Sequence, residues 1–276
     1  MRIKRILLGL GGTDFTPVAI KYAVELAKRH EAEVTGVTVV DERLLRDVGP
    51  VPAGGGHMAQ LLREHRLEVT RQRVQDAVEA FSECCEAEQL SYRVHQEHGE
   101  AFALMTGLAR YHDTMIFGLK SVFDYGLSID PEDAVTRLVH AGVRPLIAVA
   151  REHREIQRVL LAYSGSPESA KAIKRFLQSG LWPGIELRLL TCGAPSVETE
   201  TMLRDMAGYC RAHGYEPELE QREGSPGPQI VAAAEEWNAD MIVLGNGIRT
   251  LWLRRILGST ALHVVQHANR PLYLSQ

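Results

Sequence analysis

The sequence predicts an α/β protein of two tandem doubly wound domains, each a five-stranded, Rossmann-like parallel sheet covered by helices. Three observations carry this expectation. The chain repeats itself: RILLGL at residues 5–10 returns as RVLLAY at 158–163, DTMIFG at 113–118 as ADMIVLG at 239–245, and RPLIAV at 144–149 as RPLYLS at 270–275. Each copy alternates short runs of Val, Ile and Leu with longer segments of helical period, the order that builds a parallel sheet with helical crossovers. The short runs, such as ILLGL and MIVLGN, are apolar almost throughout, as strands covered on both faces must be.

In the first copy the strands are expected at residues 5–10, 33–40, 91–96, 115–117 and 145–149, with helices at 16–30, 57–89, 101–111 and 131–141. Asp130-Pro131-Glu132-Asp133 is a strong helix start, with a cap, a proline at the first position and acids facing the helix dipole. In the second copy the strands fall at 158–163, 186–191, 216–221, 241–244 and 271–274, and the helices at 166–178, 199–213, 228–238 and 259–268. Ser166-Pro167-Glu168-Ser169 opens the first of these helices with a hydroxyl cap, a proline and an acidic first turn. Pro145 and Pro271 begin the last strand of each copy, a position where proline is tolerated.

The spacing of the matches differs along the chain. Arg5 to Arg158 is 153 residues, but Asp113 to Asp240 is 127 and Arg144 to Arg270 is 126, so the first copy carries about 26 extra residues before Asp113. They are assigned to residues 41–66, where Pro50, Pro52 and the run Gly54, Gly55, Gly56 read as a loop. The two domains are placed at 1–150 and 157–276, joined by the charged connector REHREIQ at 151–157.

Composition narrows the class. A formal net charge of −4 argues against a surface built to hold nucleic acid. Cys84, Cys85, Cys192 and Cys210 show neither a C-x-x-C spacing nor the density of a disulfide scaffold, so reduced thiols are expected. No apolar run approaches the ~20 residues that cross a bilayer, and a cytoplasmic location without membrane contact is expected.

In open doubly wound sheets, ligands bind outside the carboxyl ends of the strands, where the strand order reverses. In the second copy that places Tyr163-Ser164-Gly165-Ser166 and the stretch 245–260 at the site. Gly258 would let an anion approach the backbone, Ser259 and Thr260 offer hydroxyls, and the next helix points its free N–H groups outward. A plain helix cap is the competing reading of Gly258-Ser259-Thr260.

These residues resemble a family. The universal stress protein family has this strand and helix order, a V-D-G-S type end to strand one, and a G-x-x-G-x9-G-[ST] signature after strand four. The interval from Gly245 to Gly258-Ser259 matches that spacing, and LRRILGSTALHVVQHANRPLYL and RVLLAYSGSPESAKAI resemble the family's closing and opening segments. The resemblance implies an adenine nucleotide alpha hydrolase-like fold and a non-catalytic stress-response protein. It also implies a weakened ATP site in the second domain alone, with Ser164, Gly245, Gly247, Gly258, Ser259 and Thr260 as contacts. No metal is assigned. The last strands would dock the two domains as an intramolecular pseudo-dimer, with a homodimer left open.

This chain departs from the pattern at several positions. Ile248 replaces the signature's second glycine, with Gly247 one position earlier, and Ser164 replaces the aspartate after strand one. In the first copy, Leu10-Gly11-Gly12-Thr13 also lacks that aspartate, and Pro131-Glu132-Asp133 stands where the second has Gly258-Ser259-Thr260. No nucleotide is expected there. A nucleotide-independent protein-interaction or signalling module is the alternative function. Two incomplete S-G-G-x-D-like loops, at Gly11 to Asp14 and Ser164 to Ser169, weigh little toward ATP-pyrophosphatase chemistry. His263 and His267, four apart on one helix, lack a third metal ligand.

Overall fold

The computed structural model describes residues 3–40, 54–98, 101–119, 145–245, 248–251 and 254–275. The first half runs β1 (Arg5–Gly9), α1 (Thr16–His30), β2 (Glu33–Val40), α2 (Gly56–Ala87), β3 (Tyr92–His98), α3 (Ala101–Ala109), β4 (Thr114–Gly118) and β5 (Leu146–Val149). The second runs β6 (Arg158–Ala162), α4 (Pro167–Ser179), β7 (Glu186–Cys192), α5 (Val197–Ala212), β8 (Glu218–Arg222), α6 (Pro226–Glu236) and β9 (Met241–Gly245). It closes with β10 (Ile248–Leu251), β11 (Arg254–Leu257), α7 (Ser259–His267) and β12 (Leu272–Ser275). The helix expected at 131–141 lies outside the described residues.

Each half contributes five parallel strands, and the two sets form one ten-stranded sheet in the order β3-β2-β1-β4-β5-β12-β9-β6-β7-β8. The seam is antiparallel, with Leu272 opposite Ala148, Tyr273 opposite Ile147 and Leu274 opposite Leu146. Side chains alternate across it. Ile6, Leu8, Val159 and Leu161 enter the core on one face, and Leu7 and Leu160 enter the other, which is why the strand sequences are apolar at nearly every position.

The repeated residues outside the strands have structural reasons too. Asp113 accepts hydrogen bonds from the backbone N–H of Lys4 at 2.6 Å and Arg5 at 2.9 Å, and Asp240 accepts from Gln157 and Arg158 at 2.9 and 2.8 Å. The aspartate before strand four thus caps the start of strand one in both halves. Arg270 is buried and its guanidinium donates to the carbonyls of Ala234 and Ala239, tying the end of α6 and the start of β9 to β12.

The core on each face of the sheet spans both halves. The fully buried Tyr22 of α1 donates to the Arg154 carbonyl at 2.6 Å and accepts from its N–H at 3.1 Å. Its ring meets Trp182 edge-on at 6.5 Å and His153 at 4.6 Å. Burial pushes the Tyr22 hydroxyl pKa up to about 12, so it serves as a neutral hydrogen-bonding group.

Two local expectations are corrected. The stretch 41–66 is not all loop: α2 begins at Gly56, and residues 56–66 form its first turns. Met58, Ala59, Gln60, Leu61, Leu62, Arg63 and Glu64 are strong helix formers, and they outweigh the preceding glycines. The extra length therefore goes largely into a helix of 32 residues, against 16 in its counterpart α5. Residues 41–53 lie outside the described part. The stretch 245–260 is likewise not a plain loop, since β10 and β11 pair antiparallel with Ile248 opposite Leu257 and Leu251 opposite Arg254.

Candidate functional site

At the carboxyl ends of β6 and β9, a cavity of about 280 Å³ gathers Ser164, Gly245, Gly258, Ser259 and Thr260. Five of the six residues predicted from sequence thus meet in one place, and Gly247 lies outside the described residues. The position follows from topology. β6 and β9 are neighbours whose connections leave on opposite faces, so the loops after them part and leave a crevice. Leu190, Ile230 and Leu244 add apolar wall.

The floor is a knot of hydroxyls. Ser164 lies 3.1 Å from Ser166 Oγ and 3.3 Å from Ser169 Oγ, and those two are 3.2 Å apart. Ser166 Oγ also accepts from the Ser169 N–H at 3.2 Å, the cap expected from sequence. Gly165 sits at φ +74° between these serines, and Met202 of α5 covers it with a flexible side-chain tip. The site therefore offers neutral donors and acceptors where the family's pattern has a carboxylate.

Gly245 lines the cavity and also has a packing role. A Cβ added there would lie 2.4 Å from Ser169 Cα and 2.5 Å from its backbone N, so glycine lets β9 end against the first turn of α4. It builds the wall that the serines stand on.

Across the cavity, α7 starts at Gly258 with no side chain bonded over its end. Its first N–H groups lack intrahelical partners and carry the positive end of the helix dipole. Gly258 has φ −58°, which any residue can adopt, so its contribution is the missing side chain. Hydroxyls and free N–H groups suit a phosphate ester or a ribose. They do not suit a metal ion, and among the described residues no group of three His, Cys, Asp or Glu could hold one. His263 and His267 stack at 4.1 Å, with His267 Nδ1 at 2.8 Å from the His263 carbonyl, which leaves them poor chelators.

The corresponding loop of the first half is closed by its own residues. Gly12, at φ +64°, is the counterpart of Gly165, but a Cβ there would meet the Cβ of Arg73 at 2.9 Å and its backbone carbonyl group at 3.0 Å. The body of α2 thus rests on this turn where α5 offers only Met202. Thr16 Oγ1 accepts from the Thr13 N–H at 2.9 Å and lies 3.4 Å from Thr13 Oγ1, and Asp14 pairs with Arg151 at 3.1 Å. Sequence reasoning missed this overlay, because it depends on where α2 packs. Pro131-Glu132-Asp133 lies outside the described residues.

A model described as the Universal stress protein family matches residues 2–113 and 194–275. A universal stress protein of Synechocystis is 22% identical over 287 residues, covering 98% of this chain and 99% of its own length. Among solved structures, a universal stress protein from Archaeoglobus fulgidus superposes with a TM-score of 0.63 at 19% identity, over 99% of this chain and 96% of its own. A putative universal stress protein from Pseudomonas aeruginosa gives 0.65 at 16% identity, over 99% and 93%.

Proposed function

The chain belongs to the universal stress protein family, and from that premise we propose that it is a non-catalytic stress-response protein whose second half weakly binds an adenine nucleotide of the ATP type. The observation that carries this is the meeting of Ser164, Ser259 and Thr260 with the uncapped start of α7 around one cavity. The N–H groups of α7 with Ser259 and Thr260 would hold phosphate, and Ser164 would face the sugar. A neutral acceptor at Ser164 forms a hydrogen bond about half as strong as a carboxylate would. The loss is about 1 kcal/mol, or roughly fivefold in Kd. A cavity near the lower end of the usual ligand-pocket range fits the same weakness. Among the described residues that line the cavity there is no base or metal-binding carboxylate, which supports binding without turnover. No helix among the described residues is long and apolar enough to cross a membrane, and we place the protein in the cytoplasm as two domains divided near 150–157.

Gly258→Asp tests the nucleotide reading without threatening the fold, because aspartate is a favoured helix cap. Its thermal midpoint should equal or exceed that of the wild type. In calorimetric titrations with ATP, with and without magnesium, affinity should fall at least about tenfold from repulsion at the helix end. Identical titrations would remove the nucleotide from the account. A second reading, a protein-interaction module, is favoured by Met58, Leu61 and Leu62 of α2, which are 69%, 45% and 42% exposed. Under it, neither protein binds ATP.

A further inference from the structure

A second cavity, about 590 Å³, lies where the two halves meet and away from the nucleotide crevice. The first half contributes Ile3 and Pro145 beside the starts of its strands. The second contributes Arg175, Leu177 and Leu181 from α4 and the turn after it, and Tyr273 of β12 from beneath. Its size suits a small organic molecule, and Ile3, Pro145, Leu177 and Leu181 give it an aliphatic wall.

Most polar groups at the rim are already used. Asp113 takes the two strand-capping N–H groups, His112 contacts the Leu108 carbonyl at 2.7 Å and Thr35 Oγ1 at 2.9 Å, and Thr114 donates to the Pro145 carbonyl. Gln178 donates to the Tyr209 hydroxyl and Ser179 to the Phe176 carbonyl, whereas the buried Tyr273 differs. Its side chain is fully buried, yet its hydroxyl has no hydrogen-bond partner among the described residues. Such a group costs roughly 1–3 kcal/mol when left unmet. Its counterpart in the first half, directly opposite across the seam, is Ile147, so the hydroxyl is not required by the strand pairing.

Among the described residues, two charged side chains line the cavity, Arg175 and Asp113, and the Asp113 carboxylate is engaged by the N–H groups of Lys4 and Arg5. Arg175 makes no ion pair with a carboxylate among the described residues, and it stands near enough to act electrostatically on the Tyr273 hydroxyl. Burial raises the pKa of that hydroxyl well above the ordinary tyrosine value, so it remains a proton donor. One neutral donor and one cationic donor thus stand beside the apolar part of the cavity formed by Ile3, Pro145, Leu177 and Leu181.

We propose that the cavity at the seam is a binding site for a small organic carboxylate, its apolar body against Ile3, Leu177 and Leu181 and its carboxylate held by Tyr273 Oη and Arg175. The site is independent of the nucleotide crevice and of the reading given to it. It belongs to the joined halves, since neither supplies both the strand starts and the two donors.

The probe is 2-naphthoate, followed by its own fluorescence and by calorimetry on the full chain. Tyr273→Phe removes only an unpartnered hydroxyl, so its thermal midpoint should match or exceed that of the wild type while naphthoate affinity drops about fivefold or more. Arg175→Gln should weaken binding by a similar factor, and 2-naphthalenemethanol, of the same shape without the charge, should bind at least about fivefold more weakly. Gly258→Asp should bind naphthoate as the wild type does, which separates this site from the other. No naphthoate binding, equal binding by both seam variants, loss of binding in Gly258→Asp, or equal binding of the alcohol would overturn the proposal.

Discussion

Gly245→Ala should destabilise the protein by about 3 kcal/mol, at the upper end of what overpacking in a tight core usually costs. The added methyl would lie 2.4 to 2.7 Å from Ser169 Cα, Ser169 N and Glu168 C, all main-chain atoms. Backbone cannot swing aside as a side-chain tip can, so β9 and the first turn of α4 must separate. Because Ser166 and Ser169 stand on that turn, the serine knot should loosen with it. Chemical denaturation reads the loss as a lower midpoint at unchanged slope. Gly165→Ala is the contrast: Gly165 has positive φ, but its methyl meets only the side chain of Met202, and a loss of about 1 kcal/mol is expected from backbone strain. A Gly245 variant as stable as the wild type would mean that the close approach is not needed.

Arg270→Met should cost about 3 kcal/mol in the same assay. The guanidinium is buried, and it donates at 2.5 Å to each of two carbonyls and at 3.2 Å to Asn269 Oδ1. Methionine preserves much of the packing volume but supplies no donor, so the Ala239 carbonyl loses a charge-assisted bond in a dry place. Desolvation pulls the arginine pKa below its usual value, yet the group stays cationic across the working pH range. If the variant unfolds at the wild-type midpoint, packing rather than hydrogen bonding holds this corner.

These two residues show where sequence was informative and where it was silent. The strands and most helices were legible because the apolar runs and helical periods are strong, and the Ser166 cap was legible from its residue types alone. The repeats of Asp113 and Asp240, and of RPL before the last strand, were visible as repeats. Their reasons, two capped N–H groups and a buried guanidinium, emerge only when distant segments meet. β10 and β11 escaped notice because two four-residue strands rich in arginine carry no clear alternation. The start of α2, expected at residue 57, lies at Gly56 directly after the glycine run. For the site, the spacing from Gly245 to Gly258-Ser259 pointed to the crevice, but it could not show that Gly245 also lets β9 end against the first turn of α4. The overlay of α2 on Gly12 depends on packing across 61 residues of sequence, and no local pattern encodes it.

That overlay gives the asymmetry of the molecule a physical basis. In the first half a helix body lies on the turn after strand one, and threonines and an ion pair satisfy the loop. In the second half the matching turn carries serines with an open crevice and an uncapped helix facing them. Counting sites tests this most directly. Equilibrium dialysis of the full chain against labelled ATP should saturate at one nucleotide per chain, and Gly258→Asp should abolish it. Saturation at two per chain, or at one per chain that survives Gly258→Asp, would contradict the account.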